Sequence, residues 1–431
     1  MEALLDEWRR RGHETALLCG GPVSFRRPGI HLARRTFGDT PTFEIVNTPN
    51  RVGNDDEPLA HLHHPELGGI VEAVLDAYAP DAMHAFEIES LSGDVLQAGI
   101  ERGIRTVAGL HNYWYLCSQR DLFLEDGRPC TDFRGGLACT SCRVIHAPGR
   151  LHVRAKQAAR SHDGLAWMQQ MVRSAKRIRA RVPLSTGQVR GPKPAAAGDY
   201  AERRQGFIDM LGRMDALLAA SSRVARIHEQ HGVDPARMFP LHSVRPWLEA
   251  IHPKQPVTPS EVRFGYMGNL DEHKGAWVLL EAARRVRGAF SLHVHCEARP
   301  QERVRLERMA EGLPVVIHGP YGGNDLPRIL EGIDVGVVPS RWEEALGMTA
   351  MEFGLSHTPV IASRIGGLEE QVRDGETGVL VEPGSASGLA AAMQRYVDDP
   401  GLVRAHMSPE RTRWGPGAYV DRWEEIVEGG A

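Results

Sequence analysis

Apolar positions fall into alternating helical and extended blocks along the chain. Residues 2–11 place Ala3, Leu4, Leu5 and Trp8 on one side of a helix that Gly12 ends, and residues 14–19 follow as a short apolar strand. Residues 81–86 predict a strand, 93–103 a helix and 106–110 a second strand ending at His111. That βαβ order predicts a parallel sheet. Residues 215–220 give a further strand and 221–231 a helix; the proline-interrupted stretch around 247–260 lacks apolar periodicity and reads as a linker. The second half repeats the alternation: strands at 262–267, 291–295, 315–317, 335–339 and 359–362, with helices at 276–286, 302–311, 325–331, 347–355 and 368–373. A last helix is expected near 418–428, carrying Trp423.

Length turns this pattern into an organisation. A chain of 431 residues exceeds one ordinary core, so two α/β domains are expected. The N-terminal one covers 1–245, including a cysteine loop at 117–142 and a basic insertion at 143–204. A linker follows at 246–257, then the C-terminal domain at 258–405, with the terminal helix in 406–431 crossing back to the first domain. Neither a run of about 18 apolar residues nor a basic leader followed by an apolar core is present, which predicts a cytoplasmic protein. The formal charge of −4 conceals an asymmetry: residues 143–204 hold fourteen Arg or Lys and three acids, a net +11, leaving −15 elsewhere. Clustered like charges predict an anionic partner, either an acidic membrane surface at the inner face of the plasma membrane or a pyrophosphate-bearing acceptor. Trp167, Met168, Met171 and Val172 form an apolar patch among these cations. Too few aromatics interleave with them for a nucleic-acid strand, so no nucleic-acid partner is expected.

In an open parallel sheet, ligands bind beyond the carboxyl ends of strands. The turn after residues 262–267 reads Gly268-Asn269-Leu270-Asp271-Glu272-His273-Lys274-Gly275 and delivers a cation just before a helix N-terminus, an arrangement that suits a diphosphate. A solvated lysine on a structural turn is the competing reading. After residues 335–339 comes Glu344-Ala345-Leu346-Gly347-Met348, with Glu352 about two turns along the next helix. Carboxylates accept from pairs of sugar hydroxyls, and a glycine lets backbone approach a phosphate. An acid-rich amphipathic helix start would look the same on spacing alone.

The ordered set Gly268/Leu270/Lys274/Gly275, Gly319, Asp334 to Pro339-Ser340, Glu344/Glu352, Pro359-Val360-Ile361-Ala362-Ser363 and Gly366-Gly367 to Glu370 resembles the C-terminal domain of GT-B glycosyltransferases of family 4. The N-terminal half resembles their cysteine-bearing members through Leu110-His111-Asn112-Tyr113-Trp114-Tyr115-Leu116-Cys117. The resemblance implies two Rossmann-like domains facing across a cleft. It implies a retaining, metal-independent hexosyl transfer from a nucleotide diphosphate sugar to an acceptor hydroxyl on a saccharide, a lipid-linked sugar or a small molecule. Lys274 would hold the donor diphosphate, Glu344 the transferred sugar and Glu352 the ribose. Leu346, Gly347 and Met348 would line sugar and phosphate, with Gly268 and Asn269 beside them and Pro320 and Tyr321 against the base. His111 would act near donor sugar and acceptor.

Two departures accompany the resemblance. The family's arginine in the first motif is Asn269 here, and the strand and glycine loop that usually precede the first helix are absent from this sequence, so an N-terminal domain lacking its usual first strand is expected. Both favour, as the alternative, a catalytically impaired or non-catalytic nucleotide-sugar-binding protein. No cofactor is expected for catalysis. Cys117, Cys130, Cys139 and Cys142 are spaced for a structural zinc, with plain packing or a redox-sensitive loop equally compatible.

Overall fold

The computed structural model describes residues 1–24, 27, 29–50, 57–124, 127–146, 195–242, 244–255, 257–407 and 415–429. The patch at Trp167, Met168, Met171 and Val172 and most of the basic insertion, whose pattern is helical up to about Ala180, therefore lie outside the described residues. Its far end is described. Arg203 and Arg204, on the helix Ala197–Leu211, are buried. Arg203 donates to the carbonyls of Trp114 (2.7 Å) and Tyr115 (3.3 Å), and Arg204 to that of Leu116 (2.8 Å). These two cations are spent on the backbone that carries the cysteine loop.

Thirteen strands occur among the described residues, and three sheets organise them. β1 (Leu17–Gly20) pairs in parallel with β3 (Thr40–Val46), which pairs antiparallel with β2 (His31–Phe37). This hairpin was not foreseen. Arg34 and Arg35 interrupt its apolar alternation, so the pattern hides it, and Gly38 at φ +57° makes the turn. β4 (Ala82–Ala85), β5 (Arg105–Leu110), β6 (Ala216–Ala219) and β7 (Met238–Pro240) form a parallel sheet in sequence order. Val107, Ala108, Leu217 and Leu218 are fully buried in it, which explains why these strands read as continuous apolar runs.

The C-terminal half forms one six-stranded parallel sheet from β8 (Val262–Met267), β9 (Phe290–His295), β10 (Val315–Ile317), β11 (Val335–Val338), β12 (Val360–Ser363) and β13 (Gly378–Val381), in the order β10-β9-β8-β11-β12-β13. The order reverses between β8 and β11, and ligands bind such sheets in the crevice that opens there. β13 and the helix Ala386–Asp398 complete the domain and were not foreseen; Thr377-Gly378 and the alanine run 390–392 gave little periodic contrast.

The helix Pro416–Glu428 packs against the helix Glu2–Arg10, with Trp423 edge-on to Trp8 at 5.4 Å. Arg11 pairs with Asp421 and Glu424 at 2.7 Å each, so the chain's last helix rests on its first. Among the described residues no helix is long and apolar enough to cross a membrane.

Candidate active site

Both loops flanking the switch between β8 and β11 carry sites singled out in the sequence. After β8, Gly268 donates its N–H to the carbonyl of His295, and the turn closes at Gly275, which adopts φ +75°. A Cβ there would lie 1.9 Å from the carbonyl oxygen of Pro339, so only glycine lets the two loops touch. The close approach brings Lys274 to the second loop, where its Nζ donates to Glu344 Oε1 at 2.8 Å and lies 4.6 Å from the centroid of the Trp342 ring. Ser340 Oγ donates to the same carboxylate oxygen at 2.7 Å. Burial pushes the Glu344 carboxyl up, but Lys274 and Ser340 outweigh it and hold it below the ordinary carboxylate value.

Gly347, at φ +77°, caps the helix Met348–Leu355, whose free N–H groups open onto this cluster. Leu346 is buried, and Gly366 and Gly367 lie flat against residues 343–346. Glu352, on that helix, is buried and accepts a hydrogen bond from Trp247 Nε1 at 2.9 Å. Burial raises its carboxyl to about 7, against the opposing pull of Trp247 and Arg245. Tyr321 and Trp247 pack against the same buried core, while Pro320 is exposed. Lys274, Ser340 and Glu344 thus form one bonded cluster just before Gly347, and Glu352 bonds Trp247 about one turn further along the following helix. Asn269 does not reach into that cluster through its carbonyl side: its Oδ1 accepts from the Asp271 N–H at 3.2 Å, which braces the turn.

The N-terminal half supplies the facing wall. Ser221 Oγ donates to the carbonyl of Ala345, Ser222 Oγ donates to Glu370 at 2.7 Å and Arg223 pairs with Glu343 at 2.7 Å, so the β6 end abuts the Glu344 loop. His111 follows β5 and stacks over Phe86 at 6.0 Å; burial, with Arg245, lowers its imidazole to about 4. It is neutral at physiological pH. Arg341 reaches across to donate to the carbonyl of Gly127 at 3.1 Å.

Several groups here escaped the sequence reading. Glu89 lies beside His111's neighbour: Asn112 Nδ2 donates to it at 3.3 Å, Arg120 pairs with it at 3.2 Å, and burial raises its carboxyl to about 7. Asp121 is raised to about 6 by burial, with Arg120 and Lys274 opposing. Glu87 and Glu89 line a small cavity together with His111. Trp247, filed under linker, bonds Glu352, and Arg245, at the domain end, lies against the Trp247 ring; the Arg-Pro-Trp sequence at 245–247 was the available signal.

The cysteines are free thiols near one another and near Arg204. Burial and then Cys117 push Cys139 and Cys142 up to about 12. Gln119 Nε2 donates to Cys142 Sγ at 2.5 Å, and Cys130 Sγ turns to the carbonyl of Asp132 at 3.9 Å. Among the described residues no three His, Cys, Asp or Glu side chains are grouped so as to hold a metal ion.

Residues 261–399, the whole β8–β13 unit with its crevice, match the family model for glycosyl transferases group 1. The chain carries a group 1 glycosyltransferase domain. Glycogen synthase of Mycobacterium tuberculosis is 31% identical over 191 residues, covering 43% of this chain and 42% of that protein. D-inositol 3-phosphate glycosyltransferase of Rhodococcus erythropolis is 28% identical over 283 residues, covering 61% and 62%. The chain thus spans about half the length of these relatives. Sucrose-phosphate synthase from Thermosynechococcus elongatus shares the fold across 99% of this chain and 89% of its own, with a TM-score of 0.59 at 18% identity. HepE from Anabaena, solved with UDP and glucose, covers 90% and 84% with a TM-score of 0.51 at 14% identity. The group 1 glycosyltransferase domain and its N-terminal partner form the GT-B arrangement of two Rossmann-like units.

Proposed function

We propose that the protein is a retaining glycosyltransferase that moves a sugar from a nucleotide diphosphate sugar to an acceptor hydroxyl. One observation carries the reading: a lysine, a paired carboxylate and a glycine-capped helix N-terminus converge at the sheet's switch point, with a second buried carboxylate along the same helix. Lys274 and the helix N–H groups stabilise charge on the departing diphosphate, the role an oxyanion hole performs elsewhere. Glu344 accepts from hydroxyls of the transferred sugar, Glu352 from the ribose, and Tyr321 lies along the base. The acceptor enters from the side of residues 1–245, near the neutral His111. Transfer proceeds on one face, with the diphosphate oxygen taking the acceptor's proton and no metal required.

UDP-sugars head the donors to test, because HepE was solved with UDP and glucose. Sugars and phosphorylated polyols are the acceptor classes that the relatives' names suggest. Cytoplasmic residence and docking of the basic insertion on anionic lipid belong to the same proposal; vesicle sedimentation that grows with anionic lipid and falls with salt is the expected result. The decisive experiment incubates the purified chain with a panel of UDP-, ADP- and GDP-sugars and mixed acceptors and reads products by mass spectrometry. Nucleotide binding without transfer or donor hydrolysis across the panel leaves the non-catalytic alternative standing, and α-configured product from an α-configured donor supports retention.

A further inference from the structure

The crevice as described has a charge deficit. A nucleoside diphosphate brings about three negative charges at neutral pH, and cations and helix N-termini are what stabilise such an anion. Lys274 is already paired with Glu344, and Asn269 stands where the resemblance places an arginine. Most other cations around the crevice are engaged. Arg223 pairs with Glu343, Arg299 with Asp271 and Glu302, and Arg120 with Glu89. Arg341 is held by the carbonyl of Gly127 and lies 3.9 Å from Glu272.

Arg245 differs. Arg245 is exposed, and among the described residues it forms no ion pair with a carboxylate. The guanidinium stands 5.8 Å from the centroid of Trp247, whose indole N–H is bonded to Glu352 at 2.9 Å. Its charge is felt by Glu352, by His111 and by the Met1 amino group. Proline at 246 confines Arg245 to extended backbone, and φ −131° with ψ 132° is what it adopts. The short helix Pro246–Ala250 then fixes the segment: Leu248 is buried, and the Trp247 ring fills the space beside Gly323. A long cationic side chain is thus mounted on a rigid base at the mouth of the crevice.

We propose that Arg245 supplies the second diphosphate cation of the donor site, taking over the work that Asn269 is unable to do. The inference rests on the donor reading above, in which Glu352 marks the ribose and His111 the sugar end. An anion joining those two ends passes the region from which Arg245 acts on both. The planar guanidinium fork suits phosphate oxygens in a way that a neutral amide does not. Its location on the connector between the two sheets also means that a bound diphosphate contacts both halves of the chain at once.

The test is equilibrium binding by titration calorimetry on the full chain, using whichever of UDP, ADP and GDP the wild type binds most tightly and the matching nucleoside as the uncharged control. Loss of a charge-assisted contact predicts that Arg245→Ala weakens the diphosphate about 10- to 100-fold. Nucleoside affinity stays unchanged, Arg245→Lys recovers part of the loss, and the salt dependence of binding falls. Because the side chain is exposed, the melting temperature without ligand stays at the wild-type value. Unchanged diphosphate affinity in Arg245→Ala overturns the proposal, and so does an equal loss for nucleoside and diphosphate, which would mark Arg245 as a support for Trp247 instead. A wild type that binds none of the three diphosphates overturns the donor-site reading and this inference with it.

Discussion

Replacing Lys274 with methionine keeps the stem of the side chain and removes its charge, leaving Glu344 buried with Ser340 and Trp342 as the neighbours that still favour its ionised form. Breaking a buried ion pair by deleting one partner costs about 3–5 kcal/mol, because the survivor is left uncompensated. Lys274 keeps 27% of its side-chain surface exposed and Glu344 10%, so part of that penalty is screened and about 2 kcal/mol is expected. For a unit of this size each kcal/mol shifts the melting temperature by about 2–4 °C, which makes the loss about 4–8 °C. The pH dependence has a definite sign. In the wild type the Glu344 carboxyl lies below its ordinary value, so the pair stabilises above that value and the contribution is lost as pH falls through the folded pKa. In Lys274→Met burial becomes the dominant influence and the carboxyl rises above its ordinary value, so it destabilises at high pH and is relieved by protonation. The deficit should therefore be widest near pH 8 and narrow toward pH 5, and Lys274→Met/Glu344→Gln should recover most of it. Scanning calorimetry across that range decides. A variant as stable as wild type at pH 8, a deficit independent of pH, or strictly additive losses in the double variant would refute the reasoning.

Glu352→Ala should weaken nucleotide binding about 10-fold or more with turnover less affected, whereas Glu344→Ala should act mainly on turnover; steady-state kinetics with saturating acceptor separates the two. Since burial raises Glu352 to about 7, nucleotide affinity should rise as pH increases from 6 to 8 and the carboxylate forms, and Glu352→Gln should flatten that profile in calorimetric titrations. Arg223→Ala removes the ion pair to Glu343 that joins the two halves, and should raise protease sensitivity at residues 243–257 while leaving nucleotide affinity within about 3-fold. Elemental analysis of chain purified without chelator should give about one zinc per molecule if the cysteine loop closes on metal; metal-free protein with four freely alkylated thiols rejects it.

Much of the Lys274–Glu344 cluster was legible because it depends on local rules. Gly275 and Gly347 are demanded by positive φ at helix starts, and Lys274, Glu344 and Glu352 sit at fixed offsets from them, so the backbone turn that needs the glycine also places the charge. The apolar runs at 262–267 and 335–338 announce strands buried on both faces, and their alternation with helices dictates a parallel sheet. No such rule reaches across the cleft. Trp247 finds Glu352 over 105 positions, Ser221 finds Ala345 over 124, and Asp121 comes within the field of Lys274 only because two separate sheets dock. The β2–β3 hairpin depends on pairing with β1, and the burial of Arg203 and Arg204 depends on carbonyls of residues 114–116, nearly ninety positions away. Periodicity and turn chemistry are properties of neighbours along the chain, so the sequence by itself determined the elements and the residues at their ends. Which carboxylates would be buried, which cations paired and which left free were decided by contacts between distant segments, because desolvation and ion pairing depend on what packs alongside a group.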